Sequence, residues 1–228
     1  YDSFLNENRY LMPSLFPRVG VENIVLCTSL SGTKGFSILI SQTIPDLHFI
    51  GDAQCFPLNL YDKVESKDDL FNDGTGEAEY TRRDAITDEA LKHFQDAYPS
   101  RELTKEDIFY YIYGLLHSEE YRERYADNLS KQLPRIPRVK SFDDFKAFSD
   151  AGRQLADLHL NYESVDMYAE AKLTGKTKGL KLTKQAIVGG VDEDYRVTKM
   201  KFSKKDDKST VVYNSGIIIE NIPEQAYD

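Results

Sequence analysis

TKEDIFYYIYGLLHSEEYRERYADNLSKQLPRIP, residues 104–137, is the stretch of sequence that decides the fold. It begins with Thr104 and, three positions later, Asp107, the pattern of a capping box at the start of a helix. Apolar residues then recur at helical spacing: Ile108, Tyr111, Ile112 and Leu115. The pattern predicts one helix over residues 104–117 and a second over 118–133, which ends at Pro-Arg-Ile-Pro because proline cannot continue a helix.

Helices are predicted on both sides of this stretch. Thr87 can cap a helix whose apolar residues again repeat with helical spacing. Ser141, with Asp144 three positions later, starts a longer helix that extends to Leu160. Together these segments predict a helical bundle over residues 87–160.

The first part of the chain, residues 1–61, is predicted to be β-rich. Its strand candidates are residues 21–30, 36–42, 47–50 and 55–61. Ser-Gly-Thr-Lys-Gly between the first two candidates has the composition of a turn and predicts a β-hairpin. Pro57 indicates that the last candidate is an edge strand or bends, since proline cannot donate a ladder hydrogen bond.

The remaining segments complete an α+β prediction. Residues 62–86 are polar and contain glycine, and are predicted as a long loop. Residues 161–228 form a second β-rich, basic part, with a strand over 195–202 and a hairpin over 210–219. Strands, then helices, then strands indicate an α+β domain with β-rich N- and C-terminal parts around a central helical bundle. The beginning Tyr-Asp-Ser-Phe reads like the middle of a segment, so the chain is expected to be one domain, a fragment of a longer chain.

The charge of the chain is unevenly distributed. The net charge is −9, which counts against simple nucleic-acid binding. Residues 172–208, however, hold eleven Lys or Arg and five Asp or Glu, whereas residues 62–89 hold four and ten. The basic segment can face phosphate or be a solvated surface, and charge alone leaves both open. No apolar run approaches the roughly 20 residues that cross a bilayer, so no membrane partner and a cytoplasmic location are expected.

Residues with the chemistry of an active site are not grouped in this sequence. Cys27 and Cys55 lie in apolar, strand-like runs and are expected to be reduced thiols. No Cys/His spacing resembles a zinc site, and no glycine-rich phosphate loop is present. His159 is expected to be a packed or hydrogen-bonded histidine. No catalytic residue and no metal ligand is therefore assigned.

Three stretches together carry a resemblance to a known family. The first is residues 104–137, the second is AGRQLADLHLNYE at residues 151–163, and the third is YRVTKMKF at residues 195–202. The N-terminal order of a strand ending in Thr-Ser, then Asp-Leu-His, then Phe-Pro-Leu fits the same pattern over residues 27–60. This combination resembles the C-terminal specificity (target-recognition) domain of Type ISP restriction-modification enzymes.

The resemblance implies a role in DNA recognition. It implies a parent polypeptide with a nuclease, a helicase-like motor and an adenine-N6 methyltransferase. The cofactors of this parent would be S-adenosylmethionine, ATP and Mg. No cofactor is expected in this segment, and its expected partners are double-stranded DNA and the methyltransferase and motor domains. The expected function is sequence-specific recognition of the DNA target. The alternative is a structural and interaction domain that docks those domains without base readout.

Four groups of residues are candidate DNA contacts, because hydroxyl groups and cations can bind base edges and phosphates. The first is a hairpin tip: Ser29, Ser31, Thr33 and Lys34. The second is a basic segment: Lys176, Lys178, Lys181 and Lys184. The third is an alternating strand: Arg196, Lys199 and Lys201. Arg82 and Arg83 are a weaker fourth. The tip and the basic stretch 172–201 are expected to share one surface, away from the acidic residues 62–73.

Overall fold

The computed structural model describes residues 12–29, 35–46, 49–51, 53–64, 79–175, 197 and 199–227. The chain divides into two compact units, Tyr1–Glu163 and Ser164–Asp228. The described residues form both helices and antiparallel sheets, which confirms the α+β class. None of the helices among them is both long and apolar enough to cross a membrane.

A three-stranded antiparallel sheet lies at the centre of the first unit. Strand β1 (Val25–Thr28) pairs with β2 (Ile38–Ser41) on one side and with β3 (Gln54–Pro57) on the other. The hairpin predicted from the turn composition is therefore confirmed. Pro57 lies in an edge strand, where its missing N–H costs no ladder bond, as the sequence predicted.

Strand β1 is buried on both faces, which explains its continuous apolar sequence. One face joins the main core of the unit through Leu26. The other packs on a short helix, α1 (Met12–Leu15), and its cluster comprises Leu15, Phe16, Val25 and Cys27. Cys27 faces Cys55 across the β1–β3 register; the two sulfurs are 3.8 Å apart and both thiols are free, as expected.

Two expectations for segments that border the strands of this sheet in the chain were wrong. Phe49 and Ile50 form a bend rather than a strand. Strands β4 (Asn59–Lys63) and β5 (Tyr80–Asp84) form an antiparallel ladder at the two ends of the predicted loop. Charged residues such as those of β5 are rare in buried strands, so the composition of an exposed two-stranded ladder resembles that of a loop.

The helices begin where the capping residues predicted. They are α2 (Asp88–Gln95), α3 (Lys105–His117), α4 (Glu119–Arg124), α5 (Ala126–Leu129) and α6 (Phe142–Leu160). Thr87, Thr104 and Ser141 cap α2, α3 and α6, and Thr104 forms the expected capping box with Asp107. The single helix predicted over 118–133 was wrong, because the chain leaves helical geometry at Tyr125.

The bundle region is built on one pair of long helices, α3 and α6. Gly114 and Gly152 lie where the two backbones cross. A β-carbon on Gly114 would overlap the carbonyl oxygen of Phe148, and one on Gly152 would overlap that of Tyr110. Only glycine therefore permits this approach, and Tyr111 and Phe145 stack beside it with ring centroids 4.9 Å apart.

Three tyrosine hydroxyls attach the extended segment after α5 to the helices. Tyr98, Tyr111 and Tyr121 donate hydrogen bonds of 2.6–2.7 Å. The acceptors are the carbonyl oxygens of Val139, Pro137 and Arg135. Side chains of α3, of α4 and of the turn after α2 thus satisfy backbone acceptors in a segment that has no ladder partner of its own.

The second unit contains a four-stranded antiparallel sheet. Its spatial order is β6 (Lys172–Gly175), β9 (Ile217–Glu220), β8 (Asp207–Val212) and β7 (Lys201–Lys204). The predicted hairpin is confirmed as β8 and β9. The side-chain oxygen of Asn214 accepts from the N–H groups of Gly216 and Ile217, both at 2.8 Å, and holds its turn.

One expectation for this unit was wrong, and one of its strands was not predicted. Val197, Lys199 and Met200 are not in a strand, and β7 begins only at Lys201. The start of the basic segment, Lys172–Gly175, is strand β6, which was not among the predicted strands. Its partner β9 lies more than 40 residues later in the chain. A ladder between such distant segments leaves no local signal in the sequence.

Candidate nucleic-acid interface

Ser29 closes the neck of the β1–β2 hairpin. Its N–H donates to the carbonyl oxygen of Ser37 at 2.9 Å, and its hydroxyl accepts from the N–H of Ser37 at 2.9 Å. The same hydroxyl donates to the carbonyl oxygen of Gly35 at 3.3 Å, and the residue is buried. Ser29 is therefore engaged with the hairpin backbone and is suited to positioning the tip. The other tip candidates lie outside the described residues: Ser31, Thr33 and Lys34.

Arg82 and Arg83 lie on β5, away from that neck. Arg82 lines a groove with the residues before β1 and after β2: Val21–Ile24, Gln42 and Thr43. Ser29 follows the other end of β1, so the structure does not bring Arg82 to the hairpin tip. The Nε of Arg83 pairs with a carboxylate oxygen of Asp62 at 2.5 Å, and both side chains are exposed.

Three exposed lysines of the second unit lie on or next to its edge strand β7. Lys201 is exposed on β7, an edge strand, and Lys199 is exposed just before it. Lys204 is exposed at the other end of the strand. Such lysines can bind phosphates, and they also prevent pairing of the free edge with another chain. The other candidates lie outside the described part of the chain: Lys176, Lys178, Lys181, Lys184 and Arg196.

The shared basic surface expected for the two units stays a prediction. The tip residues and most of the basic stretch lie outside the described residues, as does most of the acidic segment at 65–73. Each unit is compact by itself.

A polar cluster that the sequence did not reveal lies where the two helical signature stretches meet. The hydroxyl of Tyr113 is 2.5 Å from Nδ1 of His159, and the rings of His117 and His159 are 5.6 Å apart. The guanidinium of Arg122 lies 3.4 Å from Nδ1 of His117. Since Tyr113, His117, Arg122 and His159 all belong to these stretches, their polar residue types at helical spacing were the available signal.

Burial fixes the protonation of this cluster. It lowers the pKa of His117 to about 4, with the charges of Arg122 and His159 as smaller contributions, and it lowers the pKa of His159. Burial raises the pKa of the Tyr113 phenol. At neutral pH the phenol therefore donates to Nδ1 of His159, and Arg122 donates to Nδ1 of His117.

The remaining ring nitrogen of His117 completes this assignment. When Nδ1 accepts from Arg122, the neutral ring carries its proton on Nε2. That atom is buried and has no hydrogen-bond partner among the residues that the structure describes. The Nε2–H group of His117 is therefore a buried donor for which these residues offer no acceptor.

Comparison with known protein families gives one match over the whole chain. Residues 1–228 match the family described as the Type ISP C-terminal specificity domain. Comparison with curated protein sequences finds no match.

Three solved structures are similar to this chain. One is the ATP-dependent Type ISP restriction-modification enzyme LlaBIII bound to DNA, with 33% identity over 97% of this chain and a TM-score of 0.74. A nuclease-deletion mutant of the Type ISP enzyme LlaGI with a DNA substrate mimic has 34% identity over 100% and a TM-score of 0.71. The DrdV–DNA complex has 32% identity over 98% and a TM-score of 0.73. The matched region spans 13%, 17% and 20% of those chains, respectively.

Proposed function

This chain belongs to the Type ISP C-terminal specificity domain family, and from that premise we propose that it recognises the DNA target of a restriction-modification enzyme. One observation carries the proposal. At 32–34% identity the similarity extends over 97–100% of the chain, and all three similar structures are complexes with DNA or a DNA mimic. The family description names this region a specificity domain, which agrees with a role in target recognition.

Recognition of a duplex needs two kinds of contact, and this chain offers candidates for both. Cations bind phosphates and set the register, while donors and acceptors in a groove read base edges. The exposed Lys199 and Lys201, at the edge of the four-stranded sheet of the second unit, are suited to bind phosphates. The hairpin tip that Ser29 closes, and Arg196, are the candidates for base readout.

The other steps of restriction and modification are proposed for the rest of a longer polypeptide. The chain spans only 13–20% of the similar proteins. S-adenosylmethionine, ATP and Mg are assigned to those other domains, because this sequence lacks a glycine-rich phosphate loop. The described residues also contain no group of three or more His, Cys, Asp and Glu placed to bind a metal ion.

Selection from a random duplex library tests the proposal. The full-length protein is incubated with duplexes that contain a randomised segment, and bound duplexes are recovered and sequenced. We expect one short sequence to be enriched. We also expect replacement of Ser31, Thr33 and Lys34 by alanine together to relax the preference at some of its positions.

The alternative, a structural and interaction domain that docks the methyltransferase and motor, predicts a different result. In that case the preferred sequence would survive these substitutions and also the replacement of Arg196, Lys199 and Lys201. If neither set of substitutions changes the enriched sequence, base recognition by this chain is rejected.

A further inference from the structure

Among the residues that the structure describes, Arg122 is a half-buried cation without a carboxylate partner. Its Nε–H donates to the carbonyl oxygen of Leu116 at 2.8 Å, and its guanidinium lies over the ring of Phe36, 5.7 Å from the centroid. Within the described part of the chain, no carboxylate lies within 4 Å of it. Its other close partner is His117, whose low pKa keeps that ring neutral at pH 7.

A second half-buried arginine of the same unit shows the usual arrangement. Arg153 lies over the ring of Tyr110, and two carboxylates pair with it, Glu106 at 2.7 Å and Asp107 at 3.0 Å. A cation taken partly out of water is costly unless an anion or a full set of acceptors compensates it. Arg122 has the aromatic contact but no such carboxylate among the described residues, so an anion from outside the unit would complete its surroundings.

The position of Arg122 indicates which anion this is. Phe36 directly precedes Ser37, the residue that pairs with Ser29 at the neck of the β1–β2 hairpin. The guanidinium over Phe36 is therefore next to the base of the loop that the proposed function assigns to DNA. A planar guanidinium with free N–H groups suits the oxygens of a phosphate.

We propose that Arg122 binds one phosphate of the DNA backbone, beside the neck of the hairpin. This inference rests on the proposed function. His117 and the carbonyl of Leu116 act as positioning groups, because their hydrogen bonds fix the plane of the guanidinium. The contact fixes the register of the hairpin on the duplex and carries no base preference itself.

Neutralised phosphates test the contact. The full-length protein is bound to its selected duplex, in which one phosphate at a time is replaced by an uncharged methylphosphonate. The unsubstituted protein should lose affinity at a particular phosphate. Arg122→Met keeps an apolar stem over Phe36 but has no charge, and it should show no loss at that phosphate. Arg122→Lys keeps the charge and should retain part of the loss.

The salt dependence gives a second readout. For Arg122→Met the slope of log K against log salt should be flatter by about one unit, the value for one lost phosphate contact. The matched control is Arg124→Met, since Arg124 is exposed two positions later on the same helix. That control should keep both the methylphosphonate loss and the slope.

Labelling of the unsubstituted protein covers the case in which Arg122→Met does not fold. Saturating duplex should protect Arg122, but not Arg124, from phenylglyoxal, a reagent for arginine. Equal labelling of Arg122 with and without DNA, or an unchanged methylphosphonate profile in a folded Arg122→Met, would overturn the inference. The proposed function would then stand if a sequence is still enriched from the library, and it would fail separately if none is.

Discussion

At the scale of single residues, this chain uses tyrosine as a structural donor. The hydroxyls of Tyr98, Tyr111 and Tyr121 reach three carbonyl oxygens of one extended segment. Each ring is buried while its polar end meets an acceptor, the condition under which a buried tyrosine stabilises a core. The order of the segment between α5 and α6 therefore depends on side chains from the helices.

Removal of one such hydroxyl should have a measurable cost. Tyr111→Phe removes the 2.6 Å hydrogen bond to the carbonyl oxygen of Pro137 and leaves that acceptor without this donor. We expect the free energy of unfolding to fall by about 1–2 kcal/mol in urea denaturation. Tyr162→Phe is the control, since Tyr162 is 68% exposed, and it should change stability by less than about 0.5 kcal/mol. Equal effects of the two variants would contradict the role of the hydrogen bond.

His117 should make stability depend on pH below neutrality. Its pKa is about 4 in the fold and ordinarily about 6.5, so the unfolded chain binds the proton first as pH falls. The stabilising contribution of the neutral ring is complete above pH 6.5 and is lost as pH falls toward 4, by about 1–2 kcal/mol once solvent screening of the partly exposed ring is included.

The matched variant for this prediction is His117→Asn. It places an amide oxygen near the position of Nδ1 as an acceptor for Arg122 but does not titrate. Urea denaturation at several pH values between 4 and 7 should give a shallower pH dependence for the variant. Parallel curves for the two proteins would show that other groups cause the acid sensitivity.

At the scale of elements, the crossing of α3 and α6 determines the frame of the first unit. In Gly152→Ala the added methyl group would overlap the carbonyl oxygen of Tyr110, so the helices would have to move apart. We expect a loss of about 1–3 kcal/mol or more of unfolding free energy, the usual effect of overpacking a close contact. Gly35→Ala is the control, because no atom of the described residues lies within 4 Å of its added carbon. Thermal unfolding of both variants compares them directly.

The β4–β5 ladder should hold the first unit together when the chain is cut between the two strands. The N–H of Val64 donates to the carbonyl oxygen of Glu79 at 2.8 Å, which continues the ladder toward residues 65–78. Two pieces divided between residues 70 and 71 and expressed together should therefore copurify. The substitution of Leu60 by proline, which removes a backbone N–H from the ladder, should weaken that association. Independent folding of the two pieces would contradict it.

Which elements could be predicted depended on how local their signals are. The caps at Thr87, Thr104 and Ser141 and the β1–β2 turn are local, and the structure contains all of them. Strand β6 was missed because it pairs with a strand far along the chain. Arg122 was missed as a candidate contact, because the lack of a counter-ion is visible only in three dimensions.

At the scale of the whole molecule, the chain is acidic, yet its proposed ligand is a polyanion. Local charge resolves the conflict, since phosphate contacts depend on a few well-placed cations rather than on the net charge of −9. The family membership was predicted from the sequence, because three signature stretches and the N-terminal pattern over residues 27–60 all resemble the same family. The bases that are read could not be predicted, because no code links side chains in such loops to a sequence.

The basic segment of the second unit gives the corresponding prediction. In the full-length protein, replacement of Lys178 and Lys181 by alanine should weaken binding to all duplexes alike and flatten the salt slope by about one to two units. The control removes two other lysines, Lys92 and Lys146, which pair with Asp96 and Asp150 on their own helices. A slope that changes equally in both proteins would show a general charge effect.

The glycine contact between α3 and α6 also has an evolutionary consequence. Because the two backbones are in contact there, substitution of Gly114 or Gly152 by slightly larger residues cannot change the angle between the helices in small steps. Substitutions elsewhere can then accumulate while the frame keeps its geometry. A lineage of such proteins could acquire new DNA targets by exchanging residues on strands and turns, each trial starting from the same inherited scaffold.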